Sequence, residues 1–241
     1  MTSTSTPHPL STQSREPLRV IGSMATKGLL AVLCAEAAKQ LNCVVEPLAI
    51  GGVDAAKRVA ADEAFDVVCL GAPAMAKLLA SGHLRSEAQG VVRSLTVVAT
   101  PTGAPAVDLS SAEALKAAVL AAPTVGLSTG PSGVALQALF TQWGIADTIR
   151  DRIQVPPPGT PVASLLASGA VSLGFQQEAE LMGVAGVKVW GALPTEIAID
   201  TVFAAAVATA SKQPELAQAL IAAWNQAANA PIKLQHGMQT L

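Results

Sequence analysis

Three times between residues 18 and 80, a short run rich in Val, Ile and Leu gives way to a stretch with helical spacing. LRVIGS leads into a helix from about Gly28 to Leu41, CVVEPLAI into one through Asp54–Asp62, and FDVVCLG into one through Met75–Ala80. Apolar runs of this length suit strands covered on both faces, and their alternation with helices predicts a largely parallel sheet. The run VVRSLTVVATP then reads as a long strand ending in the Pro101–Gly103 turn. The alternation resumes beyond it. A helix at about Ala112–Ala121 precedes TVGLST, and one from Gly133 to about Trp143 precedes IQV. A helix through Val162–Leu166, AVSLGFQ, a short helix near Glu178–Met182 and VKVWGAL follow. DTVFAAAVAT and a helix at about Pro214–Asn225 close the pattern. Two α/β sets joined through long strands predict two lobes with a cleft between them.

With 241 residues, 51% hydrophobic and 13% charged, the chain can bury the core of one large domain or two smaller ones. The net charge of −2 and the scattering of Lys and Arg give no electrostatic basis for nucleic acid as a partner. No apolar run reaches the length of a membrane span, so no membrane insertion is expected. Tyrosine is absent, which removes one common general acid. Cys34 falls in a helical run, and Cys43 and Cys69 fall in strand-like runs, without metal-ligand spacing; buried thiols suited to a reducing compartment are expected. The opening MTSTSTPHPLSTQSREP has neither a basic nor an apolar segment of a secretory signal. Residues 1–17 therefore read as a disordered tail and the location as cytoplasmic, or as periplasmic if a natural signal has been replaced.

Ligands of open α/β sheets settle beyond the carboxyl ends of the strands, where helix N-termini point. The strongest local signal there is Ser128-Thr129-Gly130-Pro131-Ser132-Gly133, between TVGL and VALQALFTQW. Glycines allow the sharp turn, and Thr129 and Ser132 offer hydroxyls beside free N–H groups. Both an anion site and an ordinary Ser/Thr cap fit this pattern. Ser23-Met24-Ala25-Thr26, Gly51-Gly52 and Gly71-Ala72-Pro73 hold the corresponding places after the first three strands. Gln176 and Gln177, which end SLGFQQ, can hydrogen-bond a carboxylate or open the next helix. Lys27 and Arg58 stand near these loops as substrate partners or as solvated charges. Glu178, Glu180 and Glu196 read as helix-surface groups or bases, and His83 as a turn residue. No nucleophile elbow, phosphate loop, dinucleotide fingerprint or zinc-binding helix motif is present, so neither cofactor nor metal is expected.

This order of elements resembles the type II periplasmic binding proteins, specifically their molybdate-binding branch, over nearly the whole chain from Leu18. The resemblance is most specific at LSTGPSG (Leu127–Gly133), SGAVSLGFQQEAEL, and VKVWGALPTEI followed by TVFAAAVA. It implies two lobes joined by crossover strands near Arg93–Ala99 and Ile197–Phe203. One lobe would comprise residues 18–96 plus 200–241, and the other residues 97–199. Molybdate receptors carry adjacent serines after the first strand and a Ser-Ser-Gly turn after the second, whereas this chain has Ser23-Met24 and Gly51-Gly52. Ser132 keeps the second-lobe position. A cavity bounded by Met24 and bare glycine backbone suits a flatter, partly apolar organic anion. The loops after the strands give the expected ligand contacts as Ser23, Met24, Ala25, Gly51, Gly52, Ala72, Thr129, Gly130, Ser132, Gly133 and Gln176, and the resemblance extends to an aconitate-isomerase-like subgroup. It implies a double-bond shift in an unsaturated acid, with no base assigned. A receptor feeding an ABC permease, if the protein is exported, and a cytosolic ligand sensor are the alternatives.

Overall fold

The computed structural model describes residues 16–157 and 160–241, so the expected tail at residues 1–17 lies almost wholly outside the described residues. The first strands and helices are β1 (Leu18–Ser23), α1 (Lys27–Leu41), β2 (Val45–Ile50), α2 (Gly52–Ala60), β3 (Val67–Gly71), α3 (Ala72–Ala80) and β4 (Gln89–Pro101). The middle of the chain forms α4 (Ala112–Ala121), β5 (Val125–Leu127), α5 (Pro131–Gln142), α6 (Ala146–Ile149), β6 (Ile153–Gln154) and α7 (Val162–Ala167). Then come β7 (Leu173–Gln177), α8 (Glu178–Leu181), β8 (Val187–Ala192), β9 (Asp200–Val207), α9 (Pro214–Trp224) and α10 (Ala230–Gln235). The architecture is α/β and two-lobed, as the alternation predicts.

Strand order is β2-β1-β3-β9-β4-β7-β5-β6, with β8 also paired to β4. β1 pairs β2 and β3 in parallel, and β5 pairs β6 and β7 in parallel. β9 and β4 run against their neighbours, so the sheets are mixed where the chain crosses between them. β4 changes partner along its length. Residues from Gln89 to Leu95 pair with β9, and residues from Thr96 onward pair with β7 and β8.

That change fixes the direction of everything else. β3 is antiparallel to β9 and β9 to β4, so β3 runs with β4, toward its second half. β7 is antiparallel to β4 and runs back toward the first half. The carboxyl ends of both strand sets therefore face each other over the middle of β4. Gly71 ends β3 opposite Phe203, which faces Val92, and Gln177 ends β7 opposite Thr96. The halves touch there, for Gln177 Nε2 donates to Thr201 Oγ1 at 2.8 Å.

The period of two along the strands separates the cores. Val67 and Cys69 point into the cluster with α1 and α9, while Val68 and Leu70 point into the cluster with α2 and α3. On β4, Val98 joins the cluster with α4 and α5, and Val97 and Ala99 the one with α7. Each half-sheet is thus apolar on both faces, which explains the unbroken apolar runs. Cys34 and Cys69 are buried, and burial pushes both thiols up to about 12, so neither forms a thiolate near neutral pH. Cys43 is half-buried in the turn before β2 and not in the strand, because the helix ends in left-handed Asn42 (φ 48°) and the strand begins only at Val45.

The last helices return to the first sheet. Lys233 Nζ, almost completely buried, donates to Val91 O at 2.8 Å, and Gln239 and Arg93 exchange backbone hydrogen bonds. By the amino ends of β1 and β3 Arg58 pairs with Glu63 and lies with Arg19 over the Phe65 ring. It is a structural ion pair away from the strand ends that the loops share.

Asp66 ties three segments together. Its carboxylate accepts from the Arg19 amide at 2.9 Å and from Ser211 Oγ at 2.6 Å. Asp66→Ala would leave both donors without their partner in the interior, and urea unfolding should show a loss of about 1–3 kcal/mol.

Candidate functional site

Where the two sets of strand ends face each other, the structure encloses a cleft of about 790 Å³, within the roughly 300–1,000 Å³ usual for small-molecule sites. Four segments that follow strands form its wall: Ser23-Met24-Ala25, Gly51-Gly52, Pro73-Ala74 at the start of α3, and Ser128-Thr129-Gly130. The first turns of α2, α3 and α5 start in that wall, as does the short turn Met24–Thr26 that leads into α1. No side chain caps any of these helix starts. Their first-turn N–H groups and positive dipole ends are thus turned toward one cavity. A single helix N-terminus contributes about 0.3–1 kcal/mol to holding an anion. Their convergence, and not any one loop, makes the arrangement selective for negative charge.

Ser23, Met24, Ala25, Gly51, Gly52, Thr129, Gly130, Ser132 and Gln176 all line the cleft. Ala72 and Gly133 do not. Ala72 opens α3 just ahead of Pro73, and it is Pro73 that reaches the wall. Gly133 lies beneath the Ser128 loop, where a Cβ would come within 1.8 Å of the Ser128 carbonyl oxygen. It has no side chain because the loop backbone occupies that space. The Ser128 and Ser132 hydroxyls hydrogen-bond each other at 3.0 Å, which holds the loop over the first turn of α5.

Gln176 and Gln177 are both buried in the cleft floor. Gln176 Oε1 accepts from the Ala163 amide at 3.3 Å, and the Gln176 side-chain amide favours the charged form of the Glu180 carboxyl. Among the described residues Gln177 Oε1 has no hydrogen-bond partner. The Thr201 hydroxyl can serve either end of the Gln177 amide, so turning that amide presents its NH₂ to an anion.

Three groups absent from the sequence expectations also line the cleft. Lys57 and Lys77 stand at the rim, Lys57 within 3.4 Å of Asp54, and Phe203 contributes to the floor. Lys57 and Lys77 follow one turn behind loops already singled out, and the i,i+3 to i,i+4 spacing was the available signal. Lys27 lies instead in an adjoining pocket of about 450 Å³, with Met182 and His236. Glu196 accepts from the Ala112 amide at 2.7 Å and serves the start of α4. His83 faces Asp62 at 3.1 Å, outside the cleft.

Glu180 is the residue whose role the sequence understated. It is half-buried at the junction of the cleft and the adjoining pocket, and lines both. Burial pushes its carboxyl up to about 7, with the Gln176 hydrogen bond opposing the shift. A carboxyl in this range exchanges protons readily near neutral pH.

The family model described as "Bacterial extracellular solute-binding protein" matches residues 18–239. Aconitate isomerase from Pseudomonas sp is 32% identical over 166 residues, which cover 68% of this chain and 63% of that protein. The chain thus matches less than two thirds of that relative's length. The Azotobacter vinelandii periplasmic molybdate-binding protein superposes with a TM-score of 0.74 at 19% identity, covering 93% of this chain and 99% of its own. The tungstate ABC transporter structure from Geobacter sulfurreducens gives 0.73 at 19% identity, with 90% and 97% covered. At such identities the likeness is one of fold.

The raised Glu180 carboxyl sets a pH dependence. Between about pH 4.5 and 7 the folded chain holds more protons on Glu180 than the unfolded chain, so stability falls as pH rises through that window. Glu180→Gln should therefore melt higher than the parent protein at pH 8, with the gap closing by about pH 4.5 in a thermal scan. Gly133→Ala must displace the Ser128 loop. It should cost about 1–3 kcal/mol in urea unfolding.

Proposed function

The chain belongs to the bacterial extracellular solute-binding protein family, and from that premise we propose that its cleft takes up a small organic di- or tricarboxylate and shifts a double bond within it by proton transfer. The observation that carries this reading is the make-up of the wall. The anion-facing donors are backbone N–H groups at uncapped helix starts, set among Met24, Pro73, Pro131 and Phe203. An oxyanion such as molybdate, with charge on every side, is best wrapped by hydroxyls. Here the places after the first two strands carry one serine, a methionine and two glycines. A flat acid with carboxylates at its ends and carbon between them fits donors and apolar surface in alternation. The similarity to an aconitate isomerase supports this choice of ligand class and reaction.

The chemistry is within reach of such a wall. Removing a proton from carbon beside a conjugated carboxylate leaves an enolate-like anion, which oriented N–H groups stabilise in a site with little water. The carboxylate that binds in the ground state is the group on which charge grows, so the same donors serve both states.

A second reading is a receptor that hands its anion to an ABC permease. The family description and the fold shared with molybdate- and tungstate-binding proteins favour it. In that case the cleft would bind without turning over.

A thermal-shift screen against molybdate, sulfate and small di- and tricarboxylates separates the two chemistries of ligand. Stabilisation by unsaturated carboxylates such as aconitate, and not by molybdate, is expected; stabilisation by molybdate alone contradicts the organic-anion reading. Ser132→Ala removes one donor and loosens the Ser128 loop. Calorimetry should show affinity for the stabilising ligand falling by roughly threefold to tenfold, and an unchanged affinity would remove α5 from the site.

A further inference from the structure

α8 leaves the end of β7 with no intervening loop, so Glu180 sits three residues beyond Gln177 at the strand terminus that opens on the cleft. Its carboxylate is common to the walls of both cavities, which otherwise share Met24, Ala25 and Pro161. Asp54, the other carboxylate on the cleft wall, lies 3.4 Å from Lys57. Among the described residues Glu180 has no ion-pair partner. The neighbour that favours its carboxylate form is the Gln176 side-chain amide, whose oxygen accepts from the Ala163 N–H. That leaves the Gln176 NH₂ group as the part of the amide that can face the Glu180 carboxyl.

We propose that Glu180 is the catalytic residue that moves the proton in the double-bond shift, with Gln176 positioning it. This rests on the isomerisation reading given above. The Glu180 carboxylate takes a proton from the saturated carbon next to the ligand's C=C–COO⁻ unit. The electrons of that C–H bond become the new C=C, and those of the old double bond move into an anion spread over the three carbons and their carboxylate. Glu180 then returns the proton to the other end of the same three-carbon unit, which completes the shift and regenerates its carboxylate. The steps balance without oxidant, reductant or leaving group. A single carboxyl above one face of the ligand can serve both ends, so no second acid is required.

Burial favours this use, because a carboxyl whose proton affinity lies near neutrality both accepts and releases at working pH. The charged and titratable groups around it are Lys27 and His236 across the adjoining pocket, Asp54, Lys57 and Lys77 across the cleft, and Glu178 on its own helix. Lys57 and Lys77 draw the anion in, and the catalytic carboxyl stays clear of them.

The test uses the full chain with trans-aconitate as probe in deuterated buffer. ¹H NMR follows isomerisation and hydrogen exchange, calorimetry follows binding, and a thermal scan follows folding. Glu180→Gln should bind within about threefold of the parent protein and keep its fold, yet lose turnover and exchange by about a hundredfold or more. Glu180→Asp should retain part of the rate, and the parent pH profile should show an acid limb near 7. Turnover of Glu180→Gln within about fivefold of the parent would overturn the role of Glu180 and leave the isomerisation reading standing. Loss of binding together with turnover would also overturn it, since Glu180 would then be a ligand-holding group. Parent protein that gives no exchange, bound or not, overturns the isomerisation reading and the role of Glu180 with it.

Discussion

The change of partner along β4 is the constraint on which the rest of the molecule depends. A strand of 13 residues pairs with β9 over its first half and with β7 and β8 over its second. Antiparallel pairing on both halves forces β3 and β7 to run toward each other. Every loop that follows a parallel strand in either set then opens on the same gap. The cleft is therefore a consequence of backbone hydrogen-bond direction and owes little to which side chains line it. The side chains decide only what the cleft accepts.

What it accepts follows from an imbalance in the wall. Negative charge is favoured by helix starts without side-chain caps and by Lys57 and Lys77 at the rim. Among the described residues no buried cation stands in the cleft to fix a single strongly charged ion, and much of the remaining wall is carbon. Within this wall the half-buried Glu180 sits between two cavities and beside a neutral amide, and burial raises its proton affinity.

The fold was legible because the two periodicities were clean. Val67, Val68, Cys69 and Leu70 face alternate cores, and sequence alternation of strand and helix did the rest. Helix starts were harder: α2, α3 and α5 begin at Gly52, Ala72 and Pro131, two or three residues ahead of the expected positions. Glycine and proline read as loop formers, yet at an uncapped start they supply the first turn. α6 and α10 lie outside the expected helices, and the partner of Lys233 is Val91, 142 residues away. The same distance problem leaves Glu180 with two readings, helix surface or base. Nothing in EAEL distinguishes a solvated glutamate from one covered by Met24, Pro161 and His236, which come from three other parts of the chain. Ala72 precedes Pro73, which reaches the wall, and Gly133 makes room for backbone, positions that the loop pattern alone does not separate from lining ones.

The central claim is that converging backbone amides at the strand ends hold a small organic carboxylate. Amide ¹H–¹⁵N spectra recorded while trans-aconitate is added test it most directly. The account predicts that the largest shifts fall on residues 24–26, 52–54, 129, 130 and 132, on both sides of the cleft together, as their N–H groups meet the anion. Shifts confined to one side, or centred on the Arg19–Arg58 pair, would contradict it.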